Sequence, residues 1–521
     1  MAHSTGKKQV SLGPRTITGL CGLLMLAIVI WHAPLHANQI AKDMHLGTAT
    51  CATSQCHGKN SPQEGRNVQL NEYTIWIGGD RHSIAYKTLE TKESKLIARK
   101  LGLPNATTAK ICLDCHADNV PPDKRGPKFQ ISDGVGCEGC HGGSEKWLVS
   151  HTDPDTTHQK NIANGLLATE DASVRAEVCL ACHLGNKDQF ATHRIMAAGH
   201  PRLSFELDLF TNNQPAHYSV DQDYIERKGR VDRVDLWING QLHGIQESLK
   251  TAKNRLYDGE GIFPDFAFFD CHSCHHSMSK LRWSKTRADG VRPGSLRLNM
   301  PNMPVIESLV LATGNQQLAD ELTTARVSTV RAAQQGRRSF DAAADVLLTK
   351  LDRVRSQLES NLDRNDIKAV LKSLLDAAAA DQASDYAEAE QIYFSYETLC
   401  YAIDQSEQCE STLDKLFDAI STDDNFDPSL FARVNKRLGG KSKARNVPKI
   451  ESNKGRLTVV TTPAEARVRI MNINPRYTDG IELDIGNQYD IEVSESGYET
   501  YRKMVTLTEI NQTLAIDLNK N

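Results

Sequence analysis

The sequence predicts a mainly α chain in three parts. A segment of short helices and long loops packs around cofactors, a helical bundle region follows, and a small β-sandwich ends the chain. Three observations carry this. Between residues 51 and 275, two cysteines followed at once by a histidine recur five times. From 299 to 438, apolar residues return at steps of three and four. After 456 they alternate, one inward and one outward.

Four of the cysteine motifs share one spacing: Cys112-Leu-Asp-Cys115-His116, Cys137-Glu-Gly-Cys140-His141, Cys179-Leu-Ala-Cys182-His183 and Cys271-His-Ser-Cys274-His275. The first, Cys51-Ala-Thr-Ser-Gln-Cys56-His57, has four residues between its cysteines, and that longer spacer can bulge outward. In each, two thiols can form thioethers to the vinyl groups of one haem, while the histidine binds the iron as proximal ligand. Zinc is the rival reading, but a zinc site does not need a histidine directly after the second cysteine. The expectation is five covalently bound haem c groups, with His57, His116, His141, His183 and His275 as proximal ligands.

Residues 1–37 read as a signal peptide, with Lys7, Lys8 and Arg15 before an apolar run from Ile17 to Trp31. An uncleaved N-terminal membrane anchor is the alternative; both export the rest of the chain to the periplasm. A net charge of -4 and a pI near 6.5 offer no basic face for nucleic acid. Ten of the 13 cysteines belong to the motifs and Cys21 lies in the leader. Cys400 and Cys409 are left, either as a disulfide in an oxidising compartment or as two buried thiols.

The cytochrome segment spans 38–298, rich in Gly, Pro, Asn and Asp, with a helical stretch around Val234–Tyr257. In the helical region, 299–438, Leu347, Leu351, Val354, Leu358 and Leu362 make one apolar stripe, and Ile367, Val370, Leu371, Leu374 and Leu375 another. Residues 439–455 are basic, polar and Gly-containing, as linkers are. In 456–521, five runs alternate with period two: Leu457–Val460, Ala466–Ile470, Ile481–Ile485, Tyr489–Val493 and Lys503–Leu507.

A second histidine on the far face of an iron makes it six-coordinate and suited to electron transfer, whereas an open face admits a small molecule. Ten histidines outside the leader and the motifs compete for five such places. His200 sits in a Gly-His-Pro loop that could present its ring, and His243 follows an apolar helical pattern; both are candidates for the fourth and fifth haems. His272 and His276 fit a solvent-facing or supporting role better, and His45, His158, His193 and His217 have weaker cases.

Gly134-Val-Gly-Cys-Glu-Gly-Cys-His-Gly142, Cys179-Leu-Ala-Cys-His-Leu184 and Gly79-Asp-Arg-His82-Ser-Ile-Ala-Tyr86 resemble the cytochrome c-554 family over roughly 45–200. The resemblance implies His82 as distal ligand of the third haem, His151 as that of the first, and an open second haem on Cys112, Cys115 and His116. The long first spacer, the fifth motif and everything after 298 depart from that family. Pro463-Ala-Glu-Ala466 and Ser496-Gly-Tyr498 resemble the PEGA module, which implies interaction with an envelope component. No C-x-x-C-K motif, phosphate loop or H-E-x-x-H motif occurs. The first expectation is therefore an electron carrier between redox partner proteins. The rivals are an oxidoreductase acting on a small nitrogen or sulfur species at the second haem, and an envelope-docked scaffold cytochrome.

Overall fold

The computed structural model describes residues 42–63, 68–257, 264–275, 296–358, 362–380, 385–421, 426–441, 454–473, 475–485 and 488–521. The expected leader, Cys21, His276 and most of the expected linker lie outside these residues. The described chain is mainly α, with nineteen α-helices followed by six strands. No helix among the described residues is long and apolar enough to cross a membrane.

Up to residue 232 the helices are short and serve the motifs. The second, third and fourth motifs end the helices Lys110–His116, Cys137–His141 and Ala172–His183. A helical turn puts residues three and four apart on one face, so both thiols and the imidazole point the same way. Asp171 caps the last of these by accepting from the Ser173 and Val174 amides at 2.8 and 3.0 Å. The first motif reaches the same end without a continuous helix. The helix Thr48–Cys51 stops at the first cysteine and the extra residues turn back on themselves. The Cys56 amide donates to the Thr53 carbonyl at 2.9 Å and the His57 amide to the Cys51 carbonyl at 3.0 Å. In the fifth motif, the His275 amide donates to the Cys271 carbonyl at 2.8 Å.

The 23-residue helix Arg233–Arg255 packs on Ala172–His183 and also on Arg337–Gln357 and Tyr386–Ala402. Trp237, Leu242, Ile245 and Leu249 on it are buried, and the Trp237 Nε1 donates to Ser395 Oγ at 2.9 Å. The remaining helices are Met303–Ala312, Gln316–Ala332, Arg364–Ala379, Ser406–Ile420 and Pro428–Arg437. Both predicted apolar stripes point into one core that runs from Val234 to Phe431. Packing thus continues across position 298, where composition changes. Cys400 and Cys409 form a disulfide. Arg326 and Glu307, both buried, pair at 2.7 Å, and buried Arg297 pairs with Asp385 and with Glu388.

The C-terminal strands are β1 (Lys454–Thr462), β2 (Arg467–Ile470), β3 (Ile481–Asp484), β4 (Gln488–Ser494), β5 (Tyr501–Thr506) and β6 (Asn511–Asp517). They form two three-stranded sheets, β3-β1-β6 and β2-β4-β5, with β1 and β6 parallel and the other pairs antiparallel. Leu457, Val459, Leu483 and Ile516 of one sheet share a core with Ile470, Ile491 and Val493 of the other. β6 was not expected, because Leu514 and Ile516 alone carry its alternation.

Candidate haem centres

Each of the five motif histidines faces one further histidine. Ring centroids lie 6.2 Å apart for His57 and His151, 6.3 Å for His116 and His200, and 6.3 Å for His141 and His217. They lie 6.0 Å apart for His183 and His82 and 6.4 Å for His275 and His193. Metal–imidazole bonds of about 2.0–2.1 Å put two rings on one metal with centroids roughly 6 Å apart. No histidine belongs to two pairs.

Hydrogen bonds orient half of these rings. Nδ1 faces Glu72 at 2.9 Å in His57, Asp80 at 2.8 Å in His82 and the Ala85 carbonyl at 3.1 Å in His116. It faces the Leu148 carbonyl at 2.6 Å in His151 and the Pro201 carbonyl at 2.7 Å in His200. An Nδ1–H engaged this way fixes the tautomer and leaves Nε2 as the metal-binding atom. Burial pulls the His141 imidazole down to about 3 and the His183 imidazole to about 4. Both stay neutral near pH 7, the form in which histidine ligates.

Two buried donors fit a cofactor that carries carboxylates. Trp147, edge-on to His151 with centroids 5.3 Å apart, has a buried Nε1 with no hydrogen-bond partner. Arg175 is 8% exposed, and its guanidinium makes one bond, from Nε to the Thr169 carbonyl at 2.6 Å. The donor set, the ring spacing and these two side chains all fit bis-histidine haem.

Thiols of different motifs also come together. Cys51 lies beside Cys137, Cys115 beside Cys182, and Cys140 near Cys179 and Cys182. The first motif therefore adjoins the third, the third adjoins the fourth, and the fourth adjoins the second. Buried Glu138, inside the third motif, ties two of these segments together. Its carboxylate accepts from the Leu46 and Gly47 amides at 2.8 and 2.7 Å, and from the Ser144 amide and hydroxyl at 2.8 and 2.6 Å. Gly47 has φ of 97°, and a Cβ there would meet the Lys128 carbonyl oxygen at 2.3 Å. The fifth motif is linked through one short segment: His193 begins the helix His193–Ala197 and His200 follows it by three residues.

The sequence-derived positions are distributed as follows. His151 stands against the first motif, where the resemblance assigns it. His82 stands against the fourth motif rather than the third. His200 stands against the second motif, which the family pattern leaves open, rather than the fourth or fifth. His243 is brought to none of the motif histidines. Its helix turns the apolar side chains around it into the core, and burial lowers its imidazole to about 4. His193 and His217, given weaker cases, supply the rings opposite the fifth and third motifs. No local pattern marks either one; five centres set against ten spare histidines is the only signal. Among the rest, His45 faces Asp118 at 2.7 Å, His158 faces Glu170, and His272 sits between Tyr386 and Phe426.

Residues 50–142 match the family model described as cytochrome c554 and c-prime. No curated protein and no solved structure matches the chain. The family match supports a c-type cytochrome that carries covalently bound haem iron and serves electron transfer.

Proposed function

We propose that this chain is a periplasmic pentahaem cytochrome in which every iron is held by two histidines. Electrons cross it in the order first, third, fourth, second, fifth. The observation that carries this is the set of five separate histidine pairs, each at the spacing of two imidazoles on one metal. When bound, haem c supplies one-electron exchange between ferric and ferrous iron.

The chain's own residues do the rest. The paired imidazoles would hold each haem from both sides, and a haem held so would exchange electrons with little rearrangement. The fold sets neighbouring attachment points side by side, Cys51 by Cys137, Cys140 by Cys179, and Cys115 by Cys182. The two exposed thiols of the fifth motif, Cys271 and Cys274, favour this end as the contact for a redox partner protein. Export is supported by the disulfide Cys400–Cys409 and by the leader-like sequence. In the C-terminal sandwich, the phrases that resemble a PEGA module fall between β1 and β2 and between β4 and β5, which suits a module that contacts the envelope.

Chemistry on a small nitrogen or sulfur species at the second centre needs a free iron face. The His200 ring, 6.3 Å from His116, speaks against it. Low-temperature EPR of the oxidised, fully loaded protein tests the proposal. Five low-spin centres that ignore cyanide and nitric oxide are expected. A high-spin signal from one centre in five that shifts with either ligand would overturn it.

A further inference from the structure

Two cations beside the third histidine pair have no carboxylate partner. Arg175 lies on the helix Ala172–His183, one turn before Cys179, and its only hydrogen bond engages Nε, leaving both Nη groups without a protein partner. Lys228 rests over the Tyr224 ring, its Nζ 5.0 Å from the centroid. Among the described residues no ion pair forms at Lys228; Glu170 and Asp223, whose charges it feels, are paired with His158 and Arg227. Backbone bonds lead from Arg175 to His141: its acceptor residue Thr169 donates to the Leu167 carbonyl at 2.9 Å, and Leu167 donates to the His141 carbonyl at 3.0 Å. Rings lead from Lys228 to His217: Tyr224 stacks on Tyr218 with centroids 5.9 Å apart, and Tyr218 lies edge-on to His217 at 5.7 Å. The positive charges of both residues are felt at His141. A guanidinium with two unengaged Nη groups in a nearly buried position gains charge-assisted, bidentate bonds from a carboxylate within reach.

We propose that Arg175 and Lys228 receive the propionate carboxylates of the haem held between His141 and His217. This rests on the bis-histidine reading of the third centre. Arg175 binds from inside the protein with its free Nη groups, and Lys228 binds from the partly solvated side. A second consequence is electrical. A cation held against a propionate cancels negative charge near the iron, and so favours the ferrous state. Arg175 and Lys228 are thus positioning residues that also set the potential of the third centre.

The test is an EPR-monitored redox titration of the fully loaded protein, with the variants Arg175→Gln, Arg175→Lys and Lys228→Gln. EPR identifies each centre by its own signal, so the one that moves can be read directly. Arg175→Gln should leave five low-spin signals and shift one centre's oxidised-to-reduced ratio about tenfold toward oxidised, which is 59 mV for one electron. Arg175→Lys should restore most of that shift. Lys228→Gln, at a site that is partly exposed and therefore tolerant, should move the same centre in the same direction by less. Five unchanged potentials with five intact low-spin signals would overturn this inference and leave the bis-histidine reading standing. A high-spin third centre in the unaltered protein would instead overturn that reading.

Discussion

Glu138→Gln should loosen the junction between the first and third motifs, at a cost that follows from four hydrogen bonds. Oε1 of Glu138 accepts from Leu46, from the Ser144 amide and from the Ser144 hydroxyl, while Oε2 accepts from Gly47 at 2.7 Å. Glutamine keeps one acceptor oxygen. Its NH2 group then faces the Gly47 amide, or the three donors on the other side if the amide flips. The milder orientation leaves one buried N–H without an acceptor, about 1–3 kcal/mol, and removes the charge from three further bonds. A loss of roughly 2–4 kcal/mol follows, which at 1.36 kcal/mol per tenfold is about two orders of magnitude in the unfolding equilibrium. Urea unfolding of the loaded protein, followed by Soret circular dichroism, measures it as a lower midpoint with an unchanged slope. Glu90→Gln, at an exposed position away from this junction, should stay within about 0.5 kcal/mol of the unaltered protein. If Glu138→Gln moves the midpoint no more than Glu90→Gln does, the carboxylate is not the tie described above.

Three other outcomes follow from the same structure. His200→Gly should convert one centre in five to a high-spin, cyanide-binding form and leave the other four EPR signals in place; five unchanged low-spin signals would contradict the pairing with His116. Arg326→Met leaves Glu307 charged and buried, and should cost about 3–5 kcal/mol in urea unfolding, whereas Met at both positions should recover most of it; equal losses in the two variants would refute this. Burial raises the Glu206 carboxyl from 4.5 to about 7. Its folded-state pKa lies above the unfolded one, so its contribution is complete below pH 4.5 and is lost as pH rises through 7. The stability of Glu206→Gln relative to the unaltered protein should therefore rise across that window, and a flat difference would count against the raised value.

Much of the architecture was legible because it depends on local rules. Cys-x-x-Cys-His spacing places donors on one helical face wherever it occurs, and stripes such as Leu347, Leu351 and Val354 can be buried only as a helix. The second histidine of each pair is brought in by loops that meet across long stretches of chain. His57 finds His151, and His193 finds His275, after folds in the chain that no short window contains. His243 shows the converse: the pattern around it reads as a buried helix, and that helix packs into the bundle. The boundary at 298 was drawn from composition, whereas the buried face of Arg233–Arg255 is completed by residues on both sides of it.

That helix rises about 1.5 Å per residue, so its 23 residues form a rod about as long as a small domain is wide. It belongs equally to the part that carries the motifs and to the part that does not. A chain shortened at 298 would strip Trp237 of Ser395 and bare Leu242, Ile245 and Leu249 to water. The cytochrome half is therefore not a portable module. The C-terminal sandwich has a core of its own, but the haem-bearing segment and the bundle have to be inherited together.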